Sequence, residues 1–335
     1  MKAIITILFS VAILSACATL SEDQGGKAEE KAPRITDDMA LEEAIGHGLK
    51  FGGETLTSVK KRIAQQKEWP QTQRFLTSVL TKQLDQMSDA QVANAVHLYQ
   101  ITSRETTHEI VQAMIISDRA VVRQIGWQLA ARNPSRPVAA VIERELTRAV
   151  WDGEEQKVLI PEMAQAVQAN QIRSVYTLLR QGLMSLGAED FAKAMIDIEP
   201  DKATFDFMTY LAQATIEDLR QLNQDSVNLY SCMAIFRFYL NHPLPFAHPN
   251  FNQVFFYAVS RNQMLAEMAQ AVLEKQLAGN RNQLAFSLAR LPVWIQVAYV
   301  EGNKANPNPN VSLFLDELKR QTAHKEVVEE IDARR

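Results

Sequence analysis

The stretch "SRETTHEIVQAMIISDRAVVRQIGWQLA", residues 103–130, decides the fold class. Ile110, Val111, Met114 and Ile115 recur at helical spacing and stop at Ser117-Asp118. A second helical pattern follows after almost no loop, with Val122 and Leu129 two turns apart on one face. Asp118 is placed to cap that second helix by accepting from its first backbone N–H groups. Gly126 lacks a side chain and permits a neighbouring helix to approach closely. A joint this short makes the two helices antiparallel neighbours.

The pair resembles a HEAT repeat. The second helix of that family reads roughly Asp, then Val-Arg, a small residue and Leu; here these are Asp118, Val122-Arg123, Gly126 and Leu129. A weaker echo is Ile172-Arg173 with Tyr176 and Leu179. The resemblance covers about Ser88 to Leu186 and implies stacked helix pairs with Val122 and Leu129 on the inner seam. The offset between the echoes, about 50 residues, exceeds the roughly 40 to 47 usual for such repeats. The number of repeats is therefore open. The expected fold is all-α, an irregular HEAT-like α-solenoid, with an irregular helical bundle as the alternative.

The same reading extends outward. The sequence has only 12 glycines in 335 residues, a composition that favours helix. "DDMALEEAIGHGL" opens with Asp caps, and "GETLTSVKKRIAQQ" places Leu56, Val59 and Ile63 on one face. "SDAQVANAVHLYQI" has Ser88 as a cap and Val92, Val96 and Tyr99 in register. Pro161 is expected to kink or break the helix of "EEQKVLIPEMAQAVQA". No segment reads as a strand.

The C-terminal third differs. Between Leu229 and Tyr257 lie nine of the chain's 21 Phe and Tyr residues, around the proline-broken loop "NHPLPFAHPN". Rings at this density fill a core or line a groove that grips a partner. Phe246, Phe251, Phe255, Phe256 and Tyr257 are the candidate partner-binding residues. "EGNKANPNPN" reads as a non-helical linker, residues 301–310, because Pro307 and Pro309 remove donors. An amphipathic segment, 311–335, follows with Leu313, Phe314 and Leu318 on one face.

The N-terminus fixes a compartment. Lys2 precedes an apolar run, Ala3 to Leu14, shorter than the roughly 20 residues that span a bilayer. Then come Leu14-Ser15-Ala16-Cys17. This motif resembles the lipobox of bacterial lipoproteins. The resemblance implies that residues 1–16 are removed, that Cys17 carries diacylglycerol and acyl lipid, and that the mature protein is anchored through it. Two or three acyl chains hold a protein stably on a membrane where a single chain does not. Ala18 is not the Asp that retains enterobacterial lipoproteins in the inner membrane. The resemblance therefore implies the outer membrane with the body in the periplasm; the inner membrane and the cell surface are the alternatives. Residues 17–37 form a polar linker of mixed charge, and residues 38–300 the helical body.

Charge and chemistry narrow the function. Removing Lys2 with the signal leaves 34 Lys+Arg against 39 Asp+Glu, a mature net charge near −5, unlike a nucleic-acid-binding surface. Cys232 then remains as the sole mature cysteine besides the lipidated Cys17, so no intramolecular disulfide is expected. Its apolar surroundings read as core. His242 and His248 flank prolines but lack the further ligands a zinc site needs. His97 and His108 show no metal-ligand spacing. The adjacent carboxylates Asp37-Asp38, Glu42-Glu43 and Glu154-Glu155 do not share a helix face, so they read as caps and solvated turns. No nucleophile elbow, P-loop or dinucleotide fingerprint is present.

The expected function is that of a lipid-anchored, non-catalytic protein-binding scaffold, such as an accessory subunit of an envelope-spanning secretion-type complex. No cofactor is expected beyond the lipid on Cys17. The alternative is a cell-wall enzyme or its activator, with two carboxylates brought together from distant helices.

Overall fold

The computed structural model describes residues 32–333 apart from 66–68, 104, 149–153 and 214–226. The motif Leu14-Ser15-Ala16-Cys17 lies outside the described residues. Among the described residues there are 17 α-helices, two short 3-10 turns and no strand, so the chain is all-α. It divides between Glu145 and Leu146 into two compact units, where the sequence reads as one continuous body.

The first unit contains α1 (Leu41–Phe51), α2 (Gly53–Gln65), α3 (Trp69–Lys82), α4 (Asp89–Thr102), α5 (His108–Ile115) and α6 (Ala120–Arg132); the division falls within α7 (Arg136–Arg148). α1 packs on α2, α3 on α4 and α5 on α6. α2 also packs on α4, α3 on α5 and α4 on α6, so consecutive pairs stack into an array. The seam is aliphatic: Leu56, Val59, Ile63, Val92, Val96, Val122 and Leu129 are all buried. Each such side chain contributes about 1.5–3 kcal/mol when fully removed from water. Ser88 caps α4 in a full capping box with Gln91.

Asp118 does not cap α6. The helix starts one residue later than the sequence implies, with Arg119 at the N-cap and no side chain accepting there. The local turn is made instead by Ser117, whose Oγ accepts from Arg119 N–H. The Asp118 carbonyl accepts from Arg123, 3.0 Å away. α1 likewise begins after Ala40 without a side-chain cap, so Asp37 and Asp38 are not its caps.

The second unit contains α8 (Glu154–Asn170), α9 (Tyr176–Leu186), α10 (Glu189–Ile198), α11 (Pro200–Gln213), α12 (Val227–Tyr239), α13 (Gln253–Ala258), α14 (Gln263–Ala289), α15 (Val293–Gly302), α16 (Pro309–Gln321) and α17 (Lys325–Asp332). α8 continues through Pro161. Leu159, Ile160, Met163 and Val167 are buried around the proline. Their summed burial outweighs the roughly 3 kcal/mol that an interior proline costs. α9 ends at Gly187, which is left-handed at φ 65°. A Cβ there would lie 2.3 Å from that of Tyr230, because α12 crosses directly over this cap. Ser231 Oγ fixes the crossing by donating to Leu183 O at 2.9 Å.

The segment read as a linker is a docked corner. α15 runs to Gly302, and α16 starts at Pro309, where a first-turn proline loses no helical hydrogen bond. Asparagines build the turn between them. Asn303 Nδ2 donates to Tyr299 O, Asn306 Oδ1 accepts from Asn308 N–H, and Asn308 Oδ1 accepts from Asn310 N–H. Asn306 Nδ2 reaches Glu274 on α14. The segment read as one amphipathic stretch is two helices. α16 packs along α14, and α17 packs on α15 and α16.

Candidate functional site

The aromatic belt between Leu229 and Tyr257 was the sequence's best site, and the fold turns most of it inward. Phe251, Phe255 and Tyr257 are buried, as are Phe236, Phe238 and Tyr239. The rings meet edge to face in a continuous run: Phe251 to Phe255 at 6.0 Å, Phe255 to Tyr299 at 5.7 Å, Tyr299 to Phe314 at 5.7 Å. Phe236 meets Tyr257 at 5.3 Å, and Tyr257 donates to Leu211 O. Phe251, Phe255 and Tyr257 are therefore core residues of the second unit and not a partner-facing surface. The reason is geometric: α13 is short and wedged among α11, α14 and α15, so its apolar sides are covered.

Two of the five candidate rings remain half-exposed. Phe246 lies on the proline loop 4.9 Å from Phe251, and Phe256 lies on the outer side of α13. Phe256 meets Trp294 of α15 at 6.2 Å, and Trp294 is 58% exposed. Phe205 on α11 is also exposed and meets the His248 ring at 4.9 Å. Trp294 and Phe205 were not singled out from sequence. The readable signal for Trp294 was "VWIQVAYV", a helix apolar on all sides, which leaves one apolar side uncovered.

Cys232 is buried, its Sγ 3.6 Å from Tyr257 Oη, as its apolar context implies. His97 on α4 has its pKa lowered by burial and by the charge of Lys60. His108 lies 3.4 Å from the Glu109 carboxylate. Among the described residues, no group of three His, Cys, Asp or Glu side chains converges as a metal site. No described helix is long and apolar enough to cross a membrane.

In the first unit, Asp37, Asp38, Glu42 and Arg62 rim an open cleft of about 430 Å³ floored by Leu41, Ile45 and Phe75. The Arg62 guanidinium donates to the carbonyls of Thr36, Asp37 and Met39, which pins the entering chain against α2. The Asp38 carboxyl is held below the usual range, chiefly by its hydrogen bond with Thr36. These carboxylates sit at the N-terminus of α1, where they complement the helix dipole. Their arrangement is that of a helix entry.

No protein-family model, curated protein or solved structure matches this chain. In the second unit Phe205, Phe246, Phe256 and Trp294 are exposed or half-exposed, as are Tyr230, Phe286 and Leu313 elsewhere on it.

Proposed function

We propose that this protein is a bacterial outer-membrane lipoprotein, anchored through lipid on Cys17, whose helical body is a non-catalytic scaffold for other envelope proteins. The observation that carries the reading is the motif Leu14-Ser15-Ala16-Cys17 behind a charged start and a short apolar run. The architecture supports it. Stacked helix pairs expose extended faces on which other proteins are held. Aromatic rings left at the surface, Trp294 foremost, are the residue type enriched where one protein grips another.

The test has two arms. In bacterial cells, Cys17→Ser should abolish metabolic labelling with palmitate and move the protein from the detergent phase to the aqueous phase. A variant that stays in the detergent phase overturns the anchor. Crosslinking in cells at position 294 should then trap a discrete envelope protein. A soluble body that degrades purified peptidoglycan unaided overturns the scaffold.

A further inference from the structure

The loop between α12 and α13 carries two histidines whose ring nitrogens face opposite kinds of partner. His242 Nδ1 lies 2.9 Å from Phe238 O. A carbonyl only accepts, so this nitrogen carries a proton, and a second proton on Nε2 leaves the bond intact. His248 Nδ1 lies 3.1 Å from Asn250 N. A backbone N–H only donates, so this Nδ1 must be bare, with the ring's single proton on Nε2. Charging the ring places a proton on Nδ1 and sets donor against donor. The other nitrogen offers no relief, because Nε2 is buried without a hydrogen-bond partner.

We propose that His248 is an acid-released latch: its neutral ring holds the loop 240–252 against α11, and protonation frees the loop. The ring is seated edge-on against Phe205 at 4.9 Å. Burial lowers its pKa from the ordinary value of 6.5, and no neighbouring charge contributes. Of the charged groups on α11, Asp206 is taken by Tyr176 Oη at 2.9 Å and by Arg180 at 3.9 Å. Lys202 lies over the Tyr176 ring, and Asp201 is exposed. α13 presents Gln253, which is uncharged, and the loop itself presents His242. Among the described residues, no carboxylate pairs with the His248 ring.

The sign follows from the lowered pKa. The latched state binds the proton less readily than the released state. The latch is intact above pH 6.5, weakens as the pH falls through that value, and stops weakening once the pH passes the lowered value. Between the two, the closed-to-open ratio drops by up to about tenfold per pH unit. Release loosens Phe246 from Phe251 and frees the exposed Phe205 ring from His248. That this apolar surface serves a partner rests on the scaffold reading; the latch itself does not.

Hydrogen exchange on the mature chain, corrected for intrinsic rates, tests it. Between pH 7.5 and pH 5.0, protection in 243–253 should fall by up to about thirtyfold, while α5 and α6 keep theirs. His248→Asn retains an acceptor oxygen near the Nδ1 position and cannot charge, so its loop should stay protected at pH 5.0. His242→Asn should respond like the wild type. Unchanged wild-type protection, or equal loss in His248→Asn, overturns the latch. Nitrogen NMR of the wild type gives a reading that needs no variant: His248 must show a bare Nδ1 at pH 7.5 and titrate below 6.5. A proton on Nδ1 at neutral pH overturns the proposal as well.

Discussion

Gly126 lies so close to Ile115 that a Cβ at position 126 would sit 2.7 Å from the Ile115 backbone nitrogen. The same atom would meet Met114 Cβ at 2.9 Å. Backbone cannot swing aside as a side-chain tip can, so α5 and α6 would have to separate. Gly126→Ala should therefore destabilise by about 1–3 kcal/mol, although alanine favours helix over glycine by about 1 kcal/mol. Gly46 on α1 has nothing within 4 Å of a Cβ. Gly46→Ala should show the propensity gain alone. Paired thermal melts check both, and a stabilised Gly126→Ala would refute the close packing.

Arg119 ties three points of the α3–α4 turn together. It donates to Leu84 O at 2.7 Å, to Met87 O, and to Asp89 Oδ1 at 2.9 Å. A lysine ammonium cannot span that fork. Arg119→Lys should lose nearly as much stability as Arg119→Ala, on the order of 1–2 kcal/mol given the partial exposure. Asp89→Asn should lose much less, because two of the three bonds go to carbonyls. Urea midpoints of the three variants decide it; a lysine that restores the wild-type midpoint rejects the fork.

The seam of the first unit was legible because Val122, Leu129 and Gly126 answer to helical period and size alone, and the fold uses all three as read. The start of α6 was not, because Ser117 and Asp118 are both favoured N-cap residues, yet the N-cap falls on Arg119, which offers no acceptor. Tertiary bonds from Arg119 chose that residue. Pro309 misled for a related reason: a proline forbids the interior of a helix and favours its first turn, and only Asn308 capping behind it shows which applies. The aromatic belt was legible as apolar surplus. Which rings are covered depends on α11 before the belt and on α14, α15 and α16 after it, so no local pattern encodes it.

Glu274 is the anchor of the asparagine corner. Its two carboxylate oxygens take Asn306 Nδ2 and, at 3.5 Å, Asn308 Nδ2. Glu274→Ala should release the 303–308 turn and loosen the start of α16, costing about 1–3 kcal/mol, since it strips a charge-assisted acceptor from half-buried donors. Glu274→Gln should cost less, because it keeps one acceptor oxygen. Limited proteolysis within 303–308 reads the release directly: a corner as resistant in Glu274→Ala as in the wild type would show that the asparagines hold it unaided.

Tyr299 is buried against Phe255 and Phe314, and its hydroxyl has no hydrogen-bond partner. Burial and the nearby Glu274 charge both raise its pKa, so the phenol stays neutral. Removing an unpartnered buried hydroxyl while keeping the ring is neutral or favourable. Tyr299→Phe should leave the melting temperature unchanged or raise it. A loss of 1 kcal/mol or more would reveal a bridging water at the hydroxyl.

The five candidate rings of the aromatic belt should separate into two classes under alanine substitution. Phe255 is fully buried between Phe251 and Tyr299. Its loss leaves a cavity, and Phe255→Ala should cost about 3–5 kcal/mol, enough to lower the melting temperature by several degrees. Phe251→Ala and Tyr257→Ala should behave alike, the latter also losing its bond to Leu211 O. Phe246 and Phe256 keep part of their area in water, so each should cost half of that or less. Trp294, more exposed still, should cost least. If the scaffold grips a partner with this rim, Phe256→Ala and Trp294→Ala should reduce crosslinked capture in cells severalfold while the melt barely moves. Capture lost in step with stability across all six variants would instead mark the belt as core throughout. The gripping surface would then have to be sought on the polar faces of α1 to α6.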